Sequence, residues 1–201
     1  MDDKLIKNAI LDSDFAFRLG SIKFAPILEQ VIPTLIETLV IHEYVFSKEI
    51  LYPQLVRQQL KTLINSKKAV LVNRETILNS CPERLITYDN TQKLLRDYMK
   101  GTRRNGKNWG EILSLSYAKV MRIPYILSDE SELQEVVDSV LNLGDEEVSN
   151  PDDIKVLRIS DFIKLMRASG NFKRNFAKAT WAASGLPTYT FDTELWPKPI
   201  D

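Results

Sequence analysis

Short apolar runs alternate with longer amphipathic segments along the chain. The runs are brief and rich in Ile, Leu and Val, which is typical of strands buried on both faces. The predicted strands are residues 8–12, 39–41, 69–73, 124–128 and 154–159. Apolar residues between them recur at helical spacing, which predicts helices from about residue 15, within 24–38 and 44–63, near 75–80, and over 90–100, 110–122 and 131–142. This alternation predicts an α/β fold: a central, mainly parallel sheet of four to five strands with helices on both faces.

Proline and serine residues indicate where several helices begin. Pro26 and Pro33 are expected at helix starts or kinks, because proline lacks the N–H group that a helix interior needs. Pro53 interrupts the segment 44–63 and predicts a second helix start there. Ser160 is a suitable N-cap for the helix after the fifth strand. One more helix and a proline-containing tail are expected after residue 170.

Composition restricts the compartment and the mode of binding. The chain has 201 residues, with 27 basic side chains balanced by 27 acidic ones. Proteins that bind nucleic acid through overall charge are usually basic, whereas this chain has no net charge. Contact with a polyanion would therefore need a local basic patch. The first four residues lack the basic, then apolar, pattern of a secretory signal, and no apolar run reaches the roughly 18 residues of a membrane span. A single cysteine, Cys81, fits a reducing compartment. We therefore predict a cytoplasmic protein that does not enter a membrane.

Acidic residues stand at the ends of most predicted strands. They are Asp12 and Asp14 at the first strand, Glu43 and then Glu49 after the second, Asp129 and Glu130 at the fourth, and Asp161 after the fifth. Ligands bind at the carboxyl ends of the strands in open parallel sheets. Acids in first helical turns also cap free amides and complement the helix dipole, and Asp161 is the clearest such case. A cluster of carboxylates would favour Mg²⁺ or Mn²⁺, whereas one His and one Cys are too few for a zinc site.

Three short motifs follow one another along the chain: Ile-Leu-Asp-Ser-Asp at 10–14, Gly-Glu at 110–111 and Ile-Leu-Ser-Asp-Glu at 126–130. Their residues and order resemble the PIN-domain family. In this family a Gly-Glu pair at a helix start is followed, one helix and one strand later, by an acidic pair. The 18 positions from Glu111 to Asp129 suit that arrangement. Residues 39–49 resemble the family's second strand and following helix, which provide another acid.

The resemblance implies a metal-dependent nuclease that acts on RNA. The four catalytic acids would be Asp12, Glu49, Glu111 and Asp129. The spacing also allows Lys48, instead of Glu49, to occupy the family's second acidic position. The ions would be Mg²⁺ or Mn²⁺, held by Asp12, Glu111 and Asp129, with Asp14 or Glu130 as substitute or supporting groups. The PIN-like α/β domain would span residues 1–169, with an enlarged helical segment near 64–108. Residues 170–201 would form a C-terminal extension.

The charges are unevenly distributed along the chain. Residues 93–107 contain six basic side chains and one acid, whereas residues 129–153 contain ten acids and no Lys or Arg. The basic segment leads directly into Glu111, so it would lie beside the acidic site. Lys100, Arg103, Arg104 and Lys107 are predicted to bind RNA phosphates, and Trp109 to stack on a base. Salt bridges between the basic and acidic stretches on a solvated surface explain the same charges equally well.

Three functions remain open at this point. The first is a ribonuclease for single-stranded RNA, for which we expect the role of toxin in a toxin–antitoxin pair, with a small antitoxin-like protein as partner. The second is a PIN-like module that binds RNA or protein after losing a complete metal site. The third is a haloacid-dehalogenase-like phosphatase, because Asp12-Ser13-Asp14 also resembles the opening motif of that family. That family usually has Thr or Val where Ala16 stands, and it leaves Glu111 unexplained.

Overall fold

The protein contains one five-stranded sheet in which all neighbouring strands are parallel. The computed structural model describes residues 5–100, 108–142 and 153–197. The strands are β1 (Ile6–Leu11), β2 (Ile36–His42), β3 (Ala69–Val72), β4 (Tyr125–Leu127) and β5 (Lys155–Leu157). Each of them overlaps one of the predicted strands. The predicted α/β class, with a parallel sheet, is therefore confirmed.

Helices connect the strands and form the C-terminal part of the described chain. They are α1 (Ser13–Gly20), α2 (Ile27–Leu35), α3 (Gln54–Asn65), α4 (Arg74–Ser80), α5 (Leu85–Lys100), α6 (Trp109–Met121), α7 (Leu133–Val140), α8 (Ile159–Ser169), α9 (Arg174–Ala183) and α10 (Thr188–Thr190). Two π-helical turns, Val45–Glu49 and Phe191–Leu195, and one 3₁₀ turn, Pro82–Arg84, complete the described helical structure.

The sheet lies between two layers of helices. Ala9 and Leu11 of β1 are fully buried in a core cluster that also contains side chains of α1, α2, α3 and α8. Ile10, between them in sequence, is buried in a second cluster with side chains of α5, α6 and α7. Successive strand residues point to opposite faces, so a run of apolar residues in β1 buries the strand on both sides. The prediction of helices on both faces is confirmed.

The strand order creates a crevice beside β1. The order is β3-β2-β1-β4-β5, so β1 pairs with β2 on one side and with β4 on the other. Ile10, for example, lies opposite Val40 of β2 and Ile126 of β4. The chain therefore reaches one edge of the sheet at β3 and returns to the other side of β1 at β4. Ligands bind at the carboxyl ends of the strands where the order reverses in this way.

The C-terminal helices pack on the first helical layer. The helix α9 contacts α8, and Trp181 of α9 and Phe191 are buried in the same core cluster as α2 and α8. The indole N–H of Trp181 donates to the carbonyl oxygen of Pro187 at 2.8 Å. Residues 174–195 thus add apolar side chains to the main core.

Two helix boundaries differ from the predictions. The prediction that Ser160 caps α8 is wrong, because α8 begins at Ile159 and Ser160 lies inside its first turn. The carboxylate of Asp161 instead accepts a hydrogen bond from the backbone N–H of Arg158 at 3.3 Å, which confirms Asp161 as a capping acid. The helix predicted within 24–38 is shorter than expected, because α2 ends at Leu35, two residues after Pro33, and residues 36–38 begin β2.

None of the helices within the described residues is long and apolar enough to cross a membrane.

Candidate active site

Asp12 lies at the junction between β1 and α1, beside the end of β4. It follows the last residue of β1 directly, and its side chain is 2% exposed. Its backbone N–H donates to the carbonyl oxygen of Leu127 at 3.0 Å, which continues the pairing with β4. Its Oδ1 atom accepts a hydrogen bond from the N–H of Ser13 at 2.8 Å, at the start of α1. The carboxylate is therefore held in the predicted crevice.

Ser128 links the carboxylates of Asp12 and Asp14. It is the first residue after β4 and is fully buried. Its Oγ atom lies 3.0 Å from Asp12 Oδ2 and 3.2 Å from Asp14 Oδ1. A hydroxyl has one proton, so Ser128 donates to one of these carboxylates at a time. The same Oγ atom accepts from the backbone N–H of Glu130 at 3.3 Å. The two strand ends are thus joined through one side chain.

Asp129 joins the cluster through both its backbone and its side chain. Its backbone N–H donates to Asp14 Oδ2 at 2.9 Å. Its Oδ1 atom accepts from the N–H of Ile159 at 3.3 Å, and its Oδ2 atom lies 2.7 Å from a guanidinium nitrogen of Arg18. Arg18 supplies the positive charge nearest this carboxylate. Asp129 is consequently paired with a cation already present in the protein.

Glu49 and Glu111 both lie at the N-terminus of α6. Glu49 ends the first π-helical turn, and its Oε1 atom accepts from the backbone N–H of Gly110 at 3.1 Å. A Cβ atom at position 110 would overlap both carboxylate oxygens of Glu49, so glycine permits this approach. Glu111, which is 7% exposed, accepts a hydrogen bond from the side-chain amide of Asn108 at 3.3 Å.

The carboxylates influence one another electrostatically. Burial raises the pKa of the Asp12 carboxyl well above its ordinary value, and the negative charges of Asp14 and then Glu111 raise it further. The contribution of Glu111 connects the α6 end of the site with β1. No Lys or Arg in the described ranges forms an ion pair with Asp12 or Asp14. Arg18 compensates Asp129, but Asp12 and Asp14 have no such partner among the described residues, a situation that a cation would relieve.

The described side chains are not arranged as a ready metal site. In this part of the chain, no group of three or more His, Cys, Asp or Glu side chains is placed so that it could hold a metal ion. Oxygens of Asp14 and Glu49 accept hydrogen bonds from backbone N–H groups, and Asp129 pairs with Arg18. A cation at this site would compete with these contacts for the carboxylate oxygens.

The predicted acids fall into two groups. Asp12, Asp14 and Asp129 lie together at the ends of β1 and β4, with Glu111 close enough to affect the pKa of Asp12. Glu49 lies at the first turn of α6, against Gly110. Glu130 contacts this cluster through its backbone N–H, which donates to Ser128 Oγ.

The predicted nucleic-acid contacts are described only in part. Arg103, Arg104 and Lys107 lie outside the described residues. Lys100 ends α5 and lies 3.4 Å from Asp97 in an exposed ion pair. Trp109 is 37% exposed and lines a cavity of about 230 Å³.

Two residues that contact the acidic cluster, Ser128 and Arg18, were not predicted. Lys93 and Arg96, which belong to the predicted basic segment 93–107, line the cavity beside Trp109. Arg18 follows Asp14 by four residues, a spacing that suggests an ion pair with Asp14, whereas the structure pairs Arg18 with Asp129. Ser128 had a positional signal, since it directly follows a buried strand.

Comparisons with protein-family models, with curated proteins and with solved structures gave no match.

Proposed function

We propose that the protein is a metal-dependent endoribonuclease that hydrolyses single-stranded RNA. The observation that supports this most strongly is the environment of Asp12. It is a buried acid whose pKa is raised by burial and by two neighbouring carboxylates, at the point where the strand order reverses. Strongly perturbed acids in such a crevice are typical of functional sites.

The donor set fits a hard divalent cation. Asp12, Asp14, Glu111 and Asp129 offer carboxylate oxygens, which are the preferred ligands of Mg²⁺ and Mn²⁺. When bound, such an ion supplies Lewis acidity, which lowers the pKa of a water molecule and stabilises charge on a phosphoryl group. No histidine is needed for this chemistry, in agreement with the single histidine of the chain.

The protein's own groups would position the ligands and the substrate. Ser128 keeps the carboxylates of Asp12 and Asp14 together. Arg18 neutralises Asp129 and would release it when a cation binds. Glu49, held against Gly110, would orient the start of α6. Trp109, with Lys93 and Arg96 beside it, would contact a base and phosphates of the RNA.

The cellular setting belongs to the same proposal. We place the enzyme in the cytoplasm, because a single cysteine suits a reducing compartment. An enzyme that cleaves cellular RNA would harm its own cell unless it were inhibited. A small antitoxin-like protein is therefore the partner that we propose besides RNA.

Two other functions remain candidates for specific reasons. The ion pair between Arg18 and Asp129 favours a binding module without catalysis, because an internal cation then replaces a metal ion permanently. The closeness of Asp12 and Asp14 would suit a phosphatase of the haloacid-dehalogenase type. The effect of Glu111 on the pKa of Asp12 favours the nuclease, since that phosphatase mechanism gives Glu111 no role.

A cleavage assay distinguishes these candidates. The protein would be incubated with a short labelled RNA and with p-nitrophenyl phosphate, in Mg²⁺, in Mn²⁺ and in EDTA. We expect metal-dependent RNA cleavage that is lost in Asp12→Asn and retained in Glu37→Gln, a matched change at an exposed acid of β2. Turnover of the phosphomonoester alone would indicate a phosphatase. RNA binding without cleavage under any of these conditions would indicate the binding module.

A further inference from the structure

A larger cavity lies beside the acidic cluster, at the carboxyl ends of β2 and β3. Its volume is about 420 Å³, within the usual range for small-molecule sites. His42, the last residue of β2, and Asn73, which follows β3, both line it. Parallel strands end at the same edge of a sheet, so this cavity and the acids at β1 and β4 share that edge.

The inner wall of the cavity is uncharged and has fixed hydrogen-bond donors. The backbone N–H of Tyr44 donates to His42 Nδ1 at 3.1 Å, so the proton of the neutral imidazole is on Nε2. That Nε2 atom lies 3.2 Å from the hydroxyl oxygen of Tyr88 and donates to it. Burial lowers the pKa of His42 to about 4, and burial raises the pKa of Tyr88 to about 12. Both side chains are consequently neutral at physiological pH.

The rim of the cavity has charges of both signs. Arg74 makes two hydrogen bonds to the carboxylate of Asp89, at 3.0 and 2.7 Å, so its charge is balanced. The carboxylate of Glu43 accepts a hydrogen bond from the neutral side-chain amide of Asn73 at 2.7 Å. Lys48 is exposed and forms no ion pair with any residue in the described ranges. A neutral inner wall, with the Lys48 ammonium group and the Glu43 carboxylate at the rim, suits a ligand that joins one phosphate to an uncharged ring with hydrogen-bond donors.

The larger cavity and the smaller one beside Trp109 share a lining residue of α5. Gln92 of α5 lines both cavities, and Asp89, which holds Arg74 at the first, also lines the second. Lys93 and Arg96 of the smaller cavity form no ion pair within the described part of the chain. Lys48 at the larger cavity and Lys93 and Arg96 at the smaller one thus lack ion-pair partners among the described residues, on either side of Gln92 of α5. Successive phosphates of a single strand would require such a distribution.

We propose that the larger cavity is a nucleotide subsite that selects the base of one nucleotide in a single-stranded RNA. Lys48 binds the phosphate of that nucleotide, and Gln92, whose side chain hydrogen-bonds the buried Tyr88, offers its remaining amide hydrogen-bonding capacity to the base edge. The choice of RNA as the ligand of this subsite rests on the proposed function. It adds that the RNA passes along α5 and that cleavage depends on the base seated there.

Binding of single nucleotides tests the subsite separately from catalysis. The four ribonucleoside 5′-monophosphates and inorganic phosphate would be titrated into metal-free Asp12→Asn protein, with binding followed by NMR. We expect one or two nucleotides to bind in preference to the others and to phosphate. Lys48→Ala should weaken this binding by roughly tenfold, the loss of one hydrogen bond to a charged group. Gln92→Ala should reduce the difference between bases. Lys61→Ala, at an exposed lysine of α3 on the opposite face of the sheet, is the matched control and should change neither.

The outcomes separate the subsite from the nuclease. Equal affinity for all four nucleotides, or binding that is unchanged in both Lys48→Ala and Gln92→Ala, would overturn the subsite even if the protein cleaves RNA. Selective binding that depends on these two residues would support it even if no cleavage occurs.

Discussion

Replacing Asp12 by asparagine should stabilise the metal-free protein at neutral pH. The carboxyl of Asp12 is buried, and its pKa is raised first by burial and then by Asp14 and Glu111. An acid with a raised folded-state pKa binds its proton more tightly in the folded than in the unfolded protein. The free energy of unfolding therefore falls as the pH rises from the pKa of Asp12 in the unfolded protein, near 3.8, through its higher pKa in the folded protein. The change Asp12→Asn removes this loss.

The hydrogen bonds around position 12 remain satisfied after the substitution. The introduced side-chain oxygen accepts from the N–H of Ser13, as Oδ1 does now. The introduced NH₂ group donates to Ser128 Oγ, and the hydroxyl of Ser128 then donates to Asp14. Ser13 and Ser128 thus keep their partners. The second hydrogen of the introduced NH₂ group gains no partner from these contacts, so its burial offsets part of the electrostatic gain.

The size of the effect follows from the linkage between proton binding and folding. Each unit of pKa elevation corresponds to about 1.4 kcal/mol of free energy of unfolding. The pKa of Asp12 is raised well above its ordinary value, so Asp12→Asn should be more stable than the unmodified protein at pH 7.5. For a chain of this length, the melting temperature should rise by about 2–4 °C for each kcal/mol. Below about pH 4 the carboxyl is protonated in both states, and the two proteins should have nearly equal stability.

Urea unfolding in EDTA, followed by tryptophan fluorescence at about pH 4 and about pH 7.5, measures this difference. The control is Glu37→Gln, whose side chain is exposed and whose stability should follow that of the unmodified protein at both pH values. A variant at position 12 that is less stable than the unmodified protein at neutral pH would refute the electrostatic reasoning. A difference in stability between the two proteins that is the same at both pH values would also refute it.

Three other substitutions test individual contacts of the site. Gly110→Ala should displace the flexible carboxylate of Glu49. Kinetic and thermal measurements on this variant should show RNA cleavage reduced by at least tenfold and a melting temperature that changes little. Arg18→Met should free Asp129 and lower the Mn²⁺ concentration needed for half-maximal cleavage; an unchanged metal dependence would argue against Asp129 as a ligand. Ser128→Ala should cost about 1–3 kcal/mol in urea unfolding at neutral pH, because a buried hydroxyl that bridges two carboxylates is lost.

The sequence was sufficient to predict the strands and the acids at their ends, but not how the strands are ordered. The apolar runs that became β1 and β4 show only that both are buried. Their pairing, with Ile10 opposite Ile126, depends on contacts between residues far apart in the chain. The boundary errors are local: α8 starts at Ile159 because its cap is made by the Asp161 carboxylate, whereas serine at 160 had the usual capping chemistry.

Within the site, spacing alone could not decide between Lys48 and Glu49. The chain forms a π-helical turn over Val45–Glu49, which has more residues per turn than an α-helix and changes which side chain faces α6. In the structure Glu49 contacts Gly110, and Lys48 lines the larger cavity. The pairing of Arg18 with Asp129 was also beyond prediction, because it required the positions of both α1 and the end of β4.

Titration of the protein with Mn²⁺ tests the central claim most directly, since the proposed function requires the carboxylates near Asp12 to bind a divalent cation together. Calorimetry and thermal unfolding would be performed on the unmodified protein, Asp12→Asn and Glu37→Gln. We expect saturable binding to the unmodified protein and to Glu37→Gln, with a stabilisation of about 2.7 kcal/mol at a free ion concentration of one hundred times Kd. Both the heat and the stabilisation should be lost in Asp12→Asn. Saturable binding that is the same in Asp12→Asn, or no binding to the unmodified protein, would contradict the claim.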